Sequence, residues 1–182
     1  MRIGILGPEA SGKSTLAKSL AEQFNAVYIP EYARTYLEQK GSDYAYTYDD
    51  VVSIARHQIS ELRTPPPCGT LSSFCERSEW SLSNGGQTTQ RSNSTAGLYI
   101  YDTDLIITKV WFEHKYGTCP TWLDEAIKNF PMDYYILCAP DLEWVQDPTR
   151  ENGSDAIRWE LFDRYLSLIR QTSQPYYIHF HD

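Results

Sequence analysis

The sequence predicts an α/β fold, a three-layer sandwich in which helices cover both faces of a five-stranded parallel sheet. Three observations carry that prediction. Short apolar runs near residues 2–6, 27–29, 98–101, 133–138 and 176–180 alternate with stretches of helical period. The first run enters a glycine-bounded loop at once and leaves it as a helix. The residues with the clearest chemical meaning, Gly7, Glu31, Asp102 and Asp141, all follow the C-terminal end of a strand, the edge where parallel sheets hold their ligands.

The first strand, Arg2-Ile3-Gly4-Ile5-Leu6, is followed by Gly7-Pro8-Glu9-Ala10-Ser11-Gly12-Lys13-Ser14, and the helix runs on from Thr15. Strand, loop, Lys-Ser and helix in this order form the context of a Walker A phosphate loop. Its glycines let the backbone curl so that successive N–H groups converge on an anion. The helix N-terminus adds partial positive charge at the same point. Residues Gly7, Glu9, Ala10, Ser11, Gly12, Lys13, Ser14 and Thr15 are therefore expected to bind nucleotide phosphates. Lys13 supplies a cation to the outer phosphates, and the Ser14 hydroxyl is placed to ligate Mg²⁺.

Composition narrows the partners. At 182 residues the chain is most simply one domain, 1–182, with 41% hydrophobic and 22% charged residues. A net charge of −8, without clustered Lys and Arg, argues against nucleic acid as a partner. No run approaches the ~18 apolar residues of a membrane span, and the start is too short in apolar residues for a signal peptide. Cys68, Cys75, Cys119 and Cys138 show no CxxC pairing, which fits a reducing cytoplasm.

The second run, Ala26-Val27-Tyr28-Ile29, stops at Pro30, and Glu31-Tyr32-Ala33-Arg34 opens a helix that closes near Gly41. Glu31 and Arg34 are three residues apart and share a helical face beyond a strand end, which makes both candidates for substrate contact. Asp49 or Asp50 is expected to cap the next helix, whose inward stripe is Val51, Ile54, Ala55, Gln58, Ile59 and Leu62. His57 falls beside that stripe as a structural residue. Residues 65–97 are mostly Ser, Thr, Gly, Asn, Pro and Gln without sustained period, and they predict a flexible insertion.

Leu98-Tyr99-Ile100-Tyr101 ends in Asp102-Thr103-Asp104, the form of a Walker B strand whose terminal carboxylate reaches Mg²⁺ beside Ser14. Thr103 or Asp104 caps the helix over 105–115, whose inward stripe is Leu105, Ile106, Val110 and Trp111. A helix over 121–129 follows Pro120, and Met132 to Cys138 reads as a buried strand. The polar segment after it carries Trp144 and Arg150. A long helix then runs from Asp155 to about Gln171 with Ile157, Leu161, Phe162, Tyr165, Leu168 and Ile169 inward. Arg150 and Arg158 suit a lid that neutralises charge during phosphoryl transfer, and the bland reading makes them solvent-facing partners of nearby acids. Tyr176 to Phe180 forms a last edge strand, with His179 and His181 incidental.

These blocks resemble the ribosylnicotinamide kinase domain of NadR-type proteins, a family of P-loop kinases in NAD salvage. The likeness rests on residues 7–15, Tyr28-Ile29-Pro30-Glu31-Tyr32-Ala33-Arg34, and Ile54-Ala55-Arg56-His57-Gln58. It continues through Asp102-Thr103-Asp104, Thr108-Lys109-Val110-Trp111, Tyr116-Gly117, and Asp141-Leu142-Glu143-Trp144-Val145 with Asp147 and Arg150-Glu151. The resemblance implies a P-loop NTPase fold of the nucleoside/nucleotide kinase type, with ATP and Mg²⁺ as cofactors. It also implies phosphorylation of the 5′-hydroxyl of nicotinamide riboside to nicotinamide mononucleotide. Lys13, Glu31, Asp102 and Arg150 are then the expected catalytic residues. Glu31 or Asp102 accepts the acceptor's proton; the preferred reading puts Asp102 with Ser14 on the metal side and Glu31 on the acceptor side. Glu31, Tyr32, Arg34, Asp104, Trp111 and Trp144 are the candidate substrate contacts, with Tyr32, Trp111 and Trp144 either flanking a cationic pyridinium ring or packing in the core. Residues 65–97 depart from the family, and only a strand precedes the loop, so the adenylyltransferase and DNA-binding roles of longer members are not expected here. Two alternatives stand beside this reading: a P-loop kinase of another nucleoside or small metabolite, and a non-catalytic ATP-sensing module.

Overall fold

The computed structural model describes residues 1–41, 44–65, 97–144 and 154–181. Five strands pair in parallel: β1 (Arg2–Leu6), β2 (Val27–Ile29), β3 (Tyr99–Asp102), β4 (Tyr134–Cys138) and β5 (Tyr176–His179). Their order across the sheet is β2-β3-β1-β4-β5. All five sit where the apolar runs place them. The sequence-predicted insertion falls almost wholly on residues 66–96, outside the described residues.

Side chains alternate across the pleat, and each face takes its own helices. Ile5, Ile100 and Cys138 point to one face, where Ala17 and Ala21 of α1 (Lys13–Gln23) pack against them. Two alanines a turn apart let that helix lie close to the sheet. Leu6, Tyr101, Tyr135 and Leu137 point to the other face, into a larger core. That core is closed by α3 (Tyr48–Arg63), α4 (Leu105–Tyr116), α5 (Thr121–Asn129) and α6 (Asp155–Gln171), while α2 (Tyr32–Lys40) packs on α3. A buried polar pair, the Thr108 hydroxyl donating to Gln58 Oε1 at 2.7 Å, ties α4 to α3.

The register aligns the site. Ile5 of β1 stands opposite both Asp102 of β3 and Ile136 of β4, so the C-terminal ends of these three strands lie together. β1 has β3 on one side and β4 on the other, so the strand order reverses there, the place where open α/β sheets hold ligands.

Three local expectations are corrected. The cap of α3 is Thr47, not Asp49 or Asp50: its hydroxyl accepts from the Asp50 N–H, and Asp50 Oδ2 accepts from the Thr47 N–H at 2.8 Å, a reciprocal capping box. The buried stripe of α4 is Leu105, Ile106, Thr108, Val110 and Phe112; Trp111 is half-buried instead, because it lies at the edge of that face. Arg158 is not a solvent-facing residue, since it is enclosed at 0% exposure. Arg150 lies outside the described residues.

Candidate active site

The phosphate loop leaves β1 through Gly7, which has no room for a side chain. A Cβ there would stand 2.7 Å from the Cys138 carbonyl oxygen and 2.7 Å from Ser11 Oγ. The loop then winds through two left-handed residues, Ala10 at φ 55° and Gly12 at φ 69°. Inside it, Ser11 Oγ and Lys13 Nζ both donate to the Pro8 carbonyl, at 2.8 and 2.7 Å. Gly12 is the N-cap of α1, no side chain caps that end, and no acid lies in its first turn. The first-turn N–H groups of α1 are thereby left for an anion.

A cleft of about 230 Å³ opens over the loop. Residues 7 and 9–15 form one side, and Glu31, Arg34, Tyr46 and Trp111 form part of the other. Glu31 is the residue before α2, whose N-terminus it caps without a side-chain hydrogen bond. Its carboxyl pKa is raised above the usual carboxylate range, chiefly by burial; Lys13 pulls it down and Asp102 pushes it up. A carboxyl in that state holds a proton more readily than an exposed one, which suits proton acceptance from an alcohol. Arg34, one turn on, lines the same cleft.

The aromatic wall is built from two distant segments. Trp111 Nε1 donates to the Tyr46 hydroxyl at 2.8 Å, and the rings meet edge to face with centroids 5.0 Å apart. Lys115 Nζ sits 3.4 Å from the Tyr46 ring centroid, a cation against a π face. Tyr46 escaped the sequence reading because its neighbours Tyr44 and Tyr48 are also tyrosines and no period distinguishes it.

The acids at the end of β3 divide. Asp102 Oδ2 accepts from the Tyr28 hydroxyl at 3.0 Å, while its buried Oδ1 meets no partner among the described residues. The Tyr28 hydroxyl is pushed to higher pKa by burial and by that carboxylate. Thr103 follows at φ 91°, and its buried hydroxyl is also without a partner among the described residues. Asp104 is occupied inside the fold: its Oδ1 accepts from the Ile106 N–H at 2.9 Å and caps α4, and the Tyr135 hydroxyl also bonds to it. Burial raises its pKa to about 7. Asp102 and Asp104 border a small cavity that Tyr32, Glu61 and Tyr101 share, separate from the main cleft. Tyr32 lies against His57, the rings parallel within 5° at 3.5 Å. Trp144 is half-buried after β4 and is not among the residues that line the cleft.

Two C-terminal groups reach the loop from behind. Arg158 Nε donates to the Glu9 carbonyl and Nη2 to the Ala10 carbonyl, both at 3.2 Å. His181, no bystander, has Nδ1 2.8 Å from Asp141 Oδ1, and its Nε2 would stand 2.6 Å from a Cβ at Gly12. Arg158 did leave a signal: it sits on the stripe of Leu161, Phe162, Tyr165 and Ile169, a cation at an inward position.

The AAA domain family matches residues 2–180 of the chain. The chain belongs to that family. Two curated relatives, the trifunctional NAD biosynthesis/regulator proteins NadR of Escherichia coli (strain K12) and Salmonella typhimurium (strain LT2), are each 25% identical to it over 173 residues. The match takes in 94% of this chain and 36% of theirs, so the chain spans about a third of the length of these relatives. Among solved structures, NadR protein in complex with NR superposes with a TM-score of 0.62 at 18% identity, over 97% of this chain and 42% of that one. NadR protein in complex with NAD and AMP-PNP gives 0.61 at 19%, over 100% and 43%. Thymidylate kinase from Ehrlichia chaffeensis gives 0.58 at 12%, over 100% and 87%. The fold is thus that of the P-loop kinases, and the resemblance to NadR-type proteins read from the residues holds.

Proposed function

We propose that the protein is an ATP-dependent kinase that transfers the γ-phosphoryl group to the 5′-hydroxyl of nicotinamide riboside, giving nicotinamide mononucleotide. The observation that carries this reading is one cleft holding both halves of the reaction: the phosphate loop with Lys13 on one side, and the half-buried carboxyl of Glu31, its pKa raised, on the other. The likeness to NadR proteins, one of them in complex with NR, supports the choice of acceptor.

In this mechanism the loop N–H groups and Lys13 hold the β- and γ-phosphates and spread the charge that develops in transfer. The acceptor oxygen forms its bond to the γ-phosphorus as the bond to the β–γ bridging oxygen breaks, and ADP leaves. Glu31 takes the hydroxyl proton. Lys13 acts on Glu31 before transfer: its charge pulls the carboxyl pKa down and so favours the carboxylate that takes this proton. Arg34 and the Trp111–Tyr46 wall orient the nucleoside, the indole face against its cationic ring.

The donor set suits Mg²⁺. The Ser14 hydroxyl in the cleft and Asp102 Oδ1, which meets no partner among the described residues, are hard oxygen donors; Asp102 borders the small cavity beside the cleft, ends the strand next to β1 and acts by its charge on Glu31. When bound, Mg²⁺ neutralises charge on the transferring group.

The test is formation of nicotinamide mononucleotide from ATP and nicotinamide riboside, compared with uridine and thymidine. Turnover of nicotinamide riboside above the other nucleosides is expected. Preference for uridine or thymidine would make this a kinase of another nucleoside. ATP binding without transfer to any acceptor would make it a nucleotide sensor.

A further inference from the structure

Among the described residues Arg158 is the largest fully buried side chain, and three backbone carbonyls meet its guanidinium. Nε and Nη2 hold the carbonyls of Glu9 and Ala10, and Nη1 holds that of Leu142 at 3.0 Å. Among the described residues, the one carboxylate at it is Asp155, 3.0 Å from Nη1, whose own side chain is 81% exposed. A buried cation on three carbonyls from two separate loops is a fastening, because each bond fixes the direction in which its peptide points.

The two loop carbonyls it fixes are informative. Ala10 adopts φ 55°, a left-handed conformation in which a β-carbon is crowded and which costs of order 1 kcal/mol or more for a residue other than glycine. With residue 10 left-handed, its carbonyl lies on Nη2 of Arg158. Successive residues of opposite hand make the concave row of N–H groups that binds anions.

We propose that Arg158 is a positioning residue of the phosphate loop: by holding the Glu9 and Ala10 carbonyls from behind, it keeps Ala10 left-handed and the anion nest preformed. This rests on the reading that the loop binds nucleotide phosphates, and it adds a requirement at residue 158 that the loop motif does not contain.

Two substitutions and a relief test it, with binding of ATP and of inorganic tripolyphosphate measured by titration calorimetry on the full chain. Arg158→Met keeps bulk and removes every donor; Arg158→Lys keeps the charge but cannot span three carbonyls. Both are expected to weaken both ligands by about tenfold or more. Ala10→Gly, which removes the steric strain at that residue, is expected to restore a large part of the affinity lost in Arg158→Lys. That restoration separates positioning from a general structural role, which a glycine in the loop would not mend. Native-like affinity for tripolyphosphate in either cooperatively folded Arg158 variant overturns the proposal, as does an Ala10→Gly, Arg158→Lys double variant no better than Arg158→Lys alone. If Arg158→Met fails to melt cooperatively, the lysine pair decides. Failure of the native protein to bind either ligand would sink the kinase reading and this proposal with it. Binding by the native protein that the Arg158 changes leave untouched would sink this proposal alone.

Discussion

Residues 7–15 make the phosphate side of the cleft as one continuous stretch, whereas the facing side takes Glu31 and Arg34 from the start of α2, Tyr46 from ahead of α3 and Trp111 from α4. The first side works through backbone N–H groups, whose direction follows from local dihedrals. The second works through side chains that become neighbours only when three elements pack. A difference in construction of this kind predicts a difference in response: changes on the loop should act on phosphate handling whatever the acceptor, and changes on the wall should act on the acceptor while leaving ATP alone.

The largest test of that contrast is Lys13→Ala. Its one side-chain hydrogen bond among the described residues is to the Pro8 carbonyl, so the fold should stand while kcat/KM falls by about 10³-fold or more. An unchanged melting transition beside lost transfer is the expected pair of readings. Glu31→Gln comes next. It keeps the shape of the side chain and removes its basicity, and kcat should fall by about 10²-fold with ATP affinity kept. Near-normal turnover would hand the proton to another group and erase the acceptor-side role. In the native enzyme the acid limb of the kcat/KM profile should lie above the ordinary carboxylate range, because Glu31 must lose its proton to act, and that limb should move in the Gln variant.

Smaller effects sharpen the comparison. Trp111→Ala should raise KM for the acceptor by roughly tenfold and leave KM for ATP in place, since the indole lines only the facing wall. Equal changes in both constants would break the division between the two sides. Asp104 offers a stability counterpart to Glu31. Its folded pKa of about 7 stands above the usual carboxylate value, so the folded state binds the extra proton. Its contribution is therefore full at low pH and is lost as pH rises toward 7, with a slope of up to ~1.4 kcal/mol per pH unit. Asp104→Asn should flatten that window in urea-melt stability measured from pH 4 to 7. Thr47→Ala should cost about 1 kcal/mol through the lost capping box and leave turnover unchanged.

Glu31 and Asp104 show why part of the site was readable and part was not. Each is an acid just past a strand end and each precedes a helix, so their sequence surroundings are alike. Asp104 has its oxygens taken by the Ile106 N–H and the Tyr135 hydroxyl, and the second of these comes from a strand far along the chain. Glu31 caps α2 with no side-chain bond and lines the cleft. Tyr32 and Trp111 were likewise equal as aromatic candidates. His57, on α3, takes the face of Tyr32, while the indole of Trp111 stays at the cleft.

What the sequence determined by itself was everything with a local cause. Short apolar runs gave the strands, apolar stripes gave the helices, and the glycines and Lys-Ser of residues 7–15 gave the phosphate loop, because each depends on neighbours a few residues away. Tertiary structure decided which acids face the cleft, which aromatics form its wall, and that Arg158 closes on carbonyls 148 and 149 residues earlier in the chain. Those outcomes depend on which elements pack together, and a hydrogen bond or a burial across such a separation leaves no trace in the spacing of the residues that make it.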